Sequence, residues 1–545
     1  LINLTLSSNN SLECVRPSDY GTAGPSATAA QNTTAIQAAI TAAAAATRAT
    51  AVLIDTPGTW LVNKSATPTR CFQLAAGSVV LIAPGVTIKL ANNQTTDANP
   101  TVIFHQPATA TSVYIGWPWG MGGTLDGNTS NQSGWTLGYG QSIGSYLISA
   151  DDVFNGLTVE GLYLANCFSN PINAGGANVY GTSDNFTVRN LVCTNFGEGV
   201  QAIGVDNCYA ENIDHIISTN WAGDCLEFSH CRYGFITNCK SRTLTDTVIA
   251  EGGSGFDLYG SKDFEVDGFY ISGVTYPWQV ETNFSDTTKV PDRIKIRNVN
   301  CRSATAWIVQ SGGSVDVSDC LVNVTGSGGS GPQLRNDATD GTPAIYSFSN
   351  CRFIGKAATG VTGNGVTLRM NGVVIDDSSS APNAALTVVG NVILDVNDLL
   401  LKTTATVPAI AFQSSTPTGR MIAVDASGVI TAGYPVTTSG TVSLAGLVLQ
   451  FNSDAINSTG APANSLGARE LHPNVTVTSA NLSKGSHGQT LIVRAVYGAT
   501  ITGGARIKLL NADASVTLAT SVYNYSQLTY NSDNDVWYET QRVVT

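Results

Sequence analysis

Charge is scarce in this sequence: Asp, Glu, Lys and Arg together make up 12% of 545 residues, about half the usual share. Glu, Lys and Arg are too few for a coiled coil, and an apolar fraction of 43% argues against disorder. The 27 Lys and Arg are outnumbered by 39 Asp and Glu, for a net charge of -12. They form no cluster of the kind that tracks a phosphate backbone, so nucleic acid is a poor partner. Long apolar runs are missing too. The stretch around Ala42–Ala46 is too short and too weakly apolar to cross a bilayer, and membrane insertion is not expected. No basic start with an apolar core follows Leu1, which reads as a mature form or a fragment lacking an upstream N-terminal module. The 11 cysteines include no CxxC pair. An odd number cannot pair completely, so reduced core thiols are expected, with no metal and no cofactor.

What is abundant is glycine, 55 residues, with Ser, Thr and Asn filling the polar share. That composition fits tightly turned β-structure, and the length exceeds what one ordinary layered core supports. A self-similar pattern of two short alternating apolar strands around a single turn residue runs through the middle of the chain. It centres on Gly161, Asn190, Asn212, Asn238, Gly268, Asn298, Asp319, Asn350, Gly372 and Asp398, at steps of 21 to 31 residues. Every centre is Gly, Asn or Asp, the residues that tolerate a left-handed backbone. One such corner per turn makes a coil, and stacked coils pair equivalent strands in parallel about 4.8 Å apart. The pattern therefore predicts an all-β solenoid, a right-handed parallel β-helix. A leucine-rich repeat would need a shorter, stricter period.

Cys193 and Cys301 share one inward slot, and Cys239, Cys320 and Cys351 another, as small core hydrophobes. His215 falls in the Cys193 slot and is expected in the core. Asn32 or Thr33 is expected to cap an N-terminal helix carrying Ile36 and Ile40, which would cover the open end of the coil. The organisation expected is residues 1–50 for this N-terminal segment and capping helix, 51–401 for the β-helix, 402–437 for a linker or trimer-interface segment, and 438–545 for a β-sandwich or β-prism.

The segments VRPSDYGTAG, TTAIQAAITAAAAA and VLIDTPGTWLV, with GGTLDGN around Asp126, resemble the opening motifs of the pectate-lyase-like superfamily of right-handed β-helices, and within it bacteriophage tailspikes. The resemblance covers roughly residues 15 to 400. AQNTTA stands where that family has Thr-Asp-Asp-Thr, and no polygalacturonase-style Asp-Asp pair or Ser-His-Gly stretch is present. The superfamily includes hydrolases, lyases, esterases and binding proteins, so it specifies fold more than reaction. The resemblance implies a homotrimer on a virion tail, joined to the tail or baseplate through the upstream module, that recognises and usually cleaves a bacterial surface polysaccharide. Unpaired cysteines suit assembly in a reducing bacterial cytoplasm.

Glycoside hydrolysis needs two carboxyl groups across one bond, about 5 to 5.5 Å apart for retention or about 6.5 to 9.5 Å for inversion. Glu227 lies eleven residues before the corner Asn238, and Asp257 eleven before Gly268. Equal offsets predict side chains on adjacent rungs. Leu226 and Phe228 flank Glu227, and Phe256 and Leu258 flank Asp257, so the apolar residues should point inward and the acids outward. The assignment is Asp257 as general base and Glu227 as general acid, with Asp224 or Glu281 tuning them and Gln201, eleven before Asn212, as the polar neighbour below. The plainer reading is that these acids only keep rungs soluble, and for Asp126, Asp151 and Asp152 a turn role is favoured. Trp221, Tyr259, Trp278 and Trp307 concentrate in the same stretch and could stack on sugar rings, or be core aromatics. A polysaccharide lyase is the main alternative, with His230, Arg232, Tyr259 and Lys262 in range to act as base or cation. A glycan-binding adhesin is the non-enzymatic one. Trimerisation is also expected physically, because a slender coil exposes long flat faces.

Overall fold

A computed structural model describes residues 12–64, 70–95, 101–132, 145–176, 178–217, 223–244, 253–282, 289–304, 309–325, 333–338, 341–355, 359–363, 365–376, 385–402, 408–413, 418–427, 429–431, 447–451, 470–471, 476–477, 490–494, 499–519, 524–531 and 533–544. The chain divides into two compact units, Leu1–Thr305 and Ala306–Thr545.

The first unit is a parallel β-helix. In this unit one ladder takes in Glu13–Val15, Thr50–Ile54 and Gly58–Val62 at its start and continues to Ile294–Ala304; a second runs from Arg70–Gln73 to Tyr276–Glu281, and the strands pair in parallel from one turn to the next. The corners produce this geometry. Gly161, Asn190, Asn212, Asn238, Gly268 and Asn298 all have φ between +52° and +73°, so each reverses the side-chain alternation and turns the strand without breaking the ladder. Amide side chains then bond along the axis: Asn212 Nδ2 donates to Asn190 Oδ1 at 3.2 Å, and Asn298 Nδ2 to Asp267 Oδ1 at 2.6 Å. Inward positions make a continuous core. Leu157, Phe186, Val188, Cys193, Phe228, Phe256 and Leu258 are all sealed. His215 is sealed among them against Phe196, and burial drives its pKa down to about 3. All eleven cysteines are free thiols, and only Cys14 is exposed.

The helix runs Ala29–Ala45, four or five residues earlier than Asn32 or Thr33 would set it, because Thr28 caps it in a capping box with Gln31. Asn32 has another task. Buried, it accepts from Gly24 N at 2.8 Å and donates to Leu61 O at 3.0 Å. Thr33 Oγ1 bonds the backbone of Asn63, and Gln37 that of Gln73. Helix side chains thus satisfy the groups on the first coil that a preceding coil would otherwise take, which covers the open end.

In the second unit the corners Asp319, Asn350, Gly372 and Asp398 are again left-handed, at φ +52° to +63°. The parallel ladder does not stop near Leu401. Val392–Lys402 pairs with Thr418–Ser427, and that strand with Leu447–Phe451, so much of the expected 402–437 linker is coil. Asn397 pairs with Ile422 and Leu399 with Val424, which puts Ala423 at the corner position and hides this rung from a Gly/Asn/Asp pattern. The C-terminal strands form two small sheets, one containing Thr490–Arg494, Tyr525–Asn531 and Val536–Val543, the other Ala499–Thr502 and Ser515–Leu518. Leu491, Ile501, Leu518, Leu528 and Trp537 share one core between them, a β-sandwich.

Candidate active site

The second ladder of the first unit brings together the acids that matching offsets single out. Val200–Ile203, Leu226–Ser229, Ser254–Tyr259 and Tyr276–Glu281 lie side by side, with Gln201 opposite Glu227, Glu227 opposite Asp257, and Asp257 opposite Gln279. Leu226, Phe228, Phe256 and Leu258 are buried in the core, so the intervening acids point outward. A second outward column holds Ser229, Tyr259 and Glu281.

Hydrogen bonds fix the carboxyl groups. Gln201 Nε2 donates to Glu227 Oε2 at 2.5 Å, and Ser229 Oγ to Glu227 Oε1 at 2.8 Å. Gln279 Nε2 donates to Asp257 Oδ2 at 3.1 Å, while Asp257 Oδ1 has no hydrogen-bond partner. Asp224 Oδ1 accepts from both the backbone N–H and the hydroxyl of Ser254, each at 2.7 Å. Glu198 is the acid that offsets from the corners missed. Gly199 N bonds Asp224 O and Val200 N bonds Cys225 O, so Glu198 stands one rung below Asp224. The separation of 26 residues that links Gln201 to Glu227 also links Glu198 to Asp224, and that signal could have found it.

So many acids on neighbouring rungs cannot all ionise. Burial pushes Glu227 up to about 8, with the charges of Asp224 and Glu198 adding to the effect. Asp257 is raised well above the carboxylate range by burial, then by Asp224, Glu227 and Glu281. Burial also raises Glu198 and Asp224, but the two bonds from Ser254 favour the charged form of Asp224. The exposures divide the pair. Glu227 and Asp224 reach the surface in part, whereas Asp257 is 0% exposed. Asp257 as it stands therefore has no contact with water or a sugar, which is at odds with the base role expected for it.

Tyr259 and Gln201 are half-buried beside the stack, and Glu281 is 3% exposed. Trp278 is not a sugar platform: it faces inward, 0% exposed, with its ring stacked 5.9 Å from Phe256. Its neighbour Gln279 takes the outward place opposite Asp257, which leaves Trp278 to the core. Trp221 and Trp307 lie outside the described residues. His230 is buried at a left-handed turn, its N–H bonded to Tyr259 O at 2.7 Å. Arg232 belongs to the other ladder and grips Asp206 with two bonds, 2.9 and 2.6 Å, beneath Tyr180. Lys262 lies over the same Tyr180 ring. Asp126 accepts from Asn128 N two residues on, the turn role expected of it, whereas Asp151 accepts from Ala108 N and faces His105 Nε2 at 3.1 Å, a contact between coils.

No family model matches the sequence, and no curated protein matches it. Among solved structures it is similar to the A-module of the Azotobacter vinelandii mannuronan C-5 epimerase AlgE6, at 16% identity over 80% of this chain and 98% of that one, with a TM-score of 0.40. It is similar to the polygalacturonase of Erwinia carotovora ssp. carotovora at 14% identity, over 70% and 97% of the two chains, TM-score 0.40. A third is the N-terminal fragment of bacteriophage phi29 gene product 12, at 15% identity, over 86% and 67%, TM-score 0.38.

Proposed function

We propose that this chain is an endo-acting glycoside hydrolase that binds and shortens a bacterial surface polysaccharide, an O-antigen or capsule, as a bacteriophage tailspike. The observation that carries the chemistry is the stack itself: carboxyl groups in register on adjacent rungs, with one held protonated at neutral pH and another supported in its charged form. In this reading Glu227 is the general acid and gives its proton to the glycosidic oxygen. Asp224 is the ionised partner that activates water or attacks the anomeric carbon. The charges of Asp224 and Glu198, added to burial, set the field in which Glu227 keeps its proton, while Asp257 stays neutral and buried above it. Tyr259 and Gln201 line the substrate side.

A lyase is less well supported. Its base would have to ionise, and the Tyr259 phenol is pushed far up by burial and by the surrounding acids. Its cation would have to meet a uronate, and Arg232 is held by Asp206. The tailspike resemblance adds three chains per spike, carried on a virion tail through an N-terminal module. Product analysis after incubation with a panel of bacterial surface glycans tests the proposal: new reducing ends without a rise in ultraviolet absorbance are expected. Unsaturated products would assign a lyase, and binding without shortening an adhesin.

A further inference from the structure

On the other ladder of the first unit, away from the carboxyl stack, the segment Gly116–Gly123 carries two tryptophans. Trp119 is 61% exposed. Its ring meets that of Trp117 edge-on, with centroids 4.8 Å apart. Trp117 in turn packs on a buried cluster of Ala51, Leu81 and Tyr114. The segment is held tightly: Trp117 N bonds Glu160 O at 2.8 Å, Gly122 N bonds Gly161 O at 2.7 Å, and Gly123 N bonds Ile82 O at 3.0 Å. A Cβ on Gly161 would lie 2.2 Å from Gly120 O and 2.3 Å from Trp117 O, so the segment sits directly on the corner. Tyr163, two residues past that corner, is 42% exposed.

Trp119 and the half-buried Trp117 make a small aromatic patch on a fixed backbone, and covering it removes apolar surface from water. The exposed aromatic area, one indole and one phenol, is far below the roughly 800 Å² per partner of a stable protein interface. It matches one or two sugar rings. We propose that Trp119, with Trp117 behind it, is a non-catalytic glycan-binding platform for pyranose rings. The indole face covers the C–H face of a ring. A pinned aromatic loses little freedom on binding, which favours this use.

The test uses the full chain in native gels cast with dextran, laminarin, mannan or xylan, all neutral pyranose polymers. Retention by at least one of them is expected, with apparent affinity about tenfold lower in Trp119→Ala and partly kept in Trp119→Phe. Retention reads binding alone, so the platform is judged even if no glycan is cleaved. Equal thermal midpoints among the variants show that folding is intact. The proposal is overturned if no polymer retains the chain, or if Trp119→Ala is retained as well as the native chain. It is also overturned if Trp119→Ala changes the sedimentation coefficient without changing retention, which would assign the patch to contact between copies.

Discussion

Glu227 is where burial, charge and exposure meet in one side chain, and its titration gives two predictions. Its pKa in the folded chain is about 8 against an ordinary 4.5, so the native state binds the extra proton between those values. Stability therefore falls as pH rises from about 4.5 to about 8 and levels off above. Thermal midpoints measured across that window should decline in the native chain and decline less in Glu227→Gln. In catalysis the protonated form is the active one, so turnover should fall above about pH 8, and Glu227→Gln should lower it by about 10²- to 10⁴-fold. In the proposed mechanism Glu198 acts through Glu227 rather than on substrate. Glu198→Gln removes one of the charges that raise Glu227, so turnover should persist while its alkaline limb moves to lower pH; an unmoved limb would leave Glu198 with a structural role only. The Glu227–Asp257 register was legible from equal offsets because a corner fixes the strand that precedes it. The roles were less so. Offset says that Asp257 faces outward, but only three-dimensional packing shows that it is covered.

At the scale of the coil, the left-handed corner is the element that repeats, and not every corner has room for the same residue. Gly161 and Gly268 have similar φ, +63° and +73°. A Cβ on Gly268 meets only the movable Asn238 Oδ1 at 3.0 Å, whereas one on Gly161 strikes two carbonyl oxygens of the tryptophan segment. Gly268→Asn should change stability by less than about 1 kcal/mol, because Asn accepts this conformation elsewhere on the same line of corners. Gly161→Asn should cost about 3 kcal/mol or more. Denaturant midpoints of the two variants compare them directly. The corners were readable because Gly, Asn and Asp alone accept this backbone at low cost. Where Ala423 occupies the equivalent position the rung disappeared from the pattern. The sequence leaves Trp278 open between sugar platform and core for a related reason. The alternation that sent Leu226 and Phe228 inward also sends Trp278 inward once Gln279 is placed opposite Asp257, and aromatic content alone does not reveal a face.

For the whole molecule, length makes more rungs rather than a deeper core, and side chains on the outer faces are left for other molecules to cover. Light scattering should give three times the chain mass, and a stable monomer would contradict the trimer. The scarcity of charge gains meaning at this scale as well. In a chain with 39 acidic residues, Glu198, Asp224, Glu227, Asp257 and Glu281 gather on neighbouring rungs of one ladder, a placement that raises the proton affinity of the first four and that folding stability alone would not favour. The most direct measurement is the product formed from a susceptible bacterial surface polysaccharide by the native chain and by Glu227→Gln. Saturated fragments with new reducing ends from the native chain, and almost none from Glu227→Gln, are expected. Equal cleavage by both chains, or fragments carrying a new double bond, would contradict hydrolysis by this carboxyl stack.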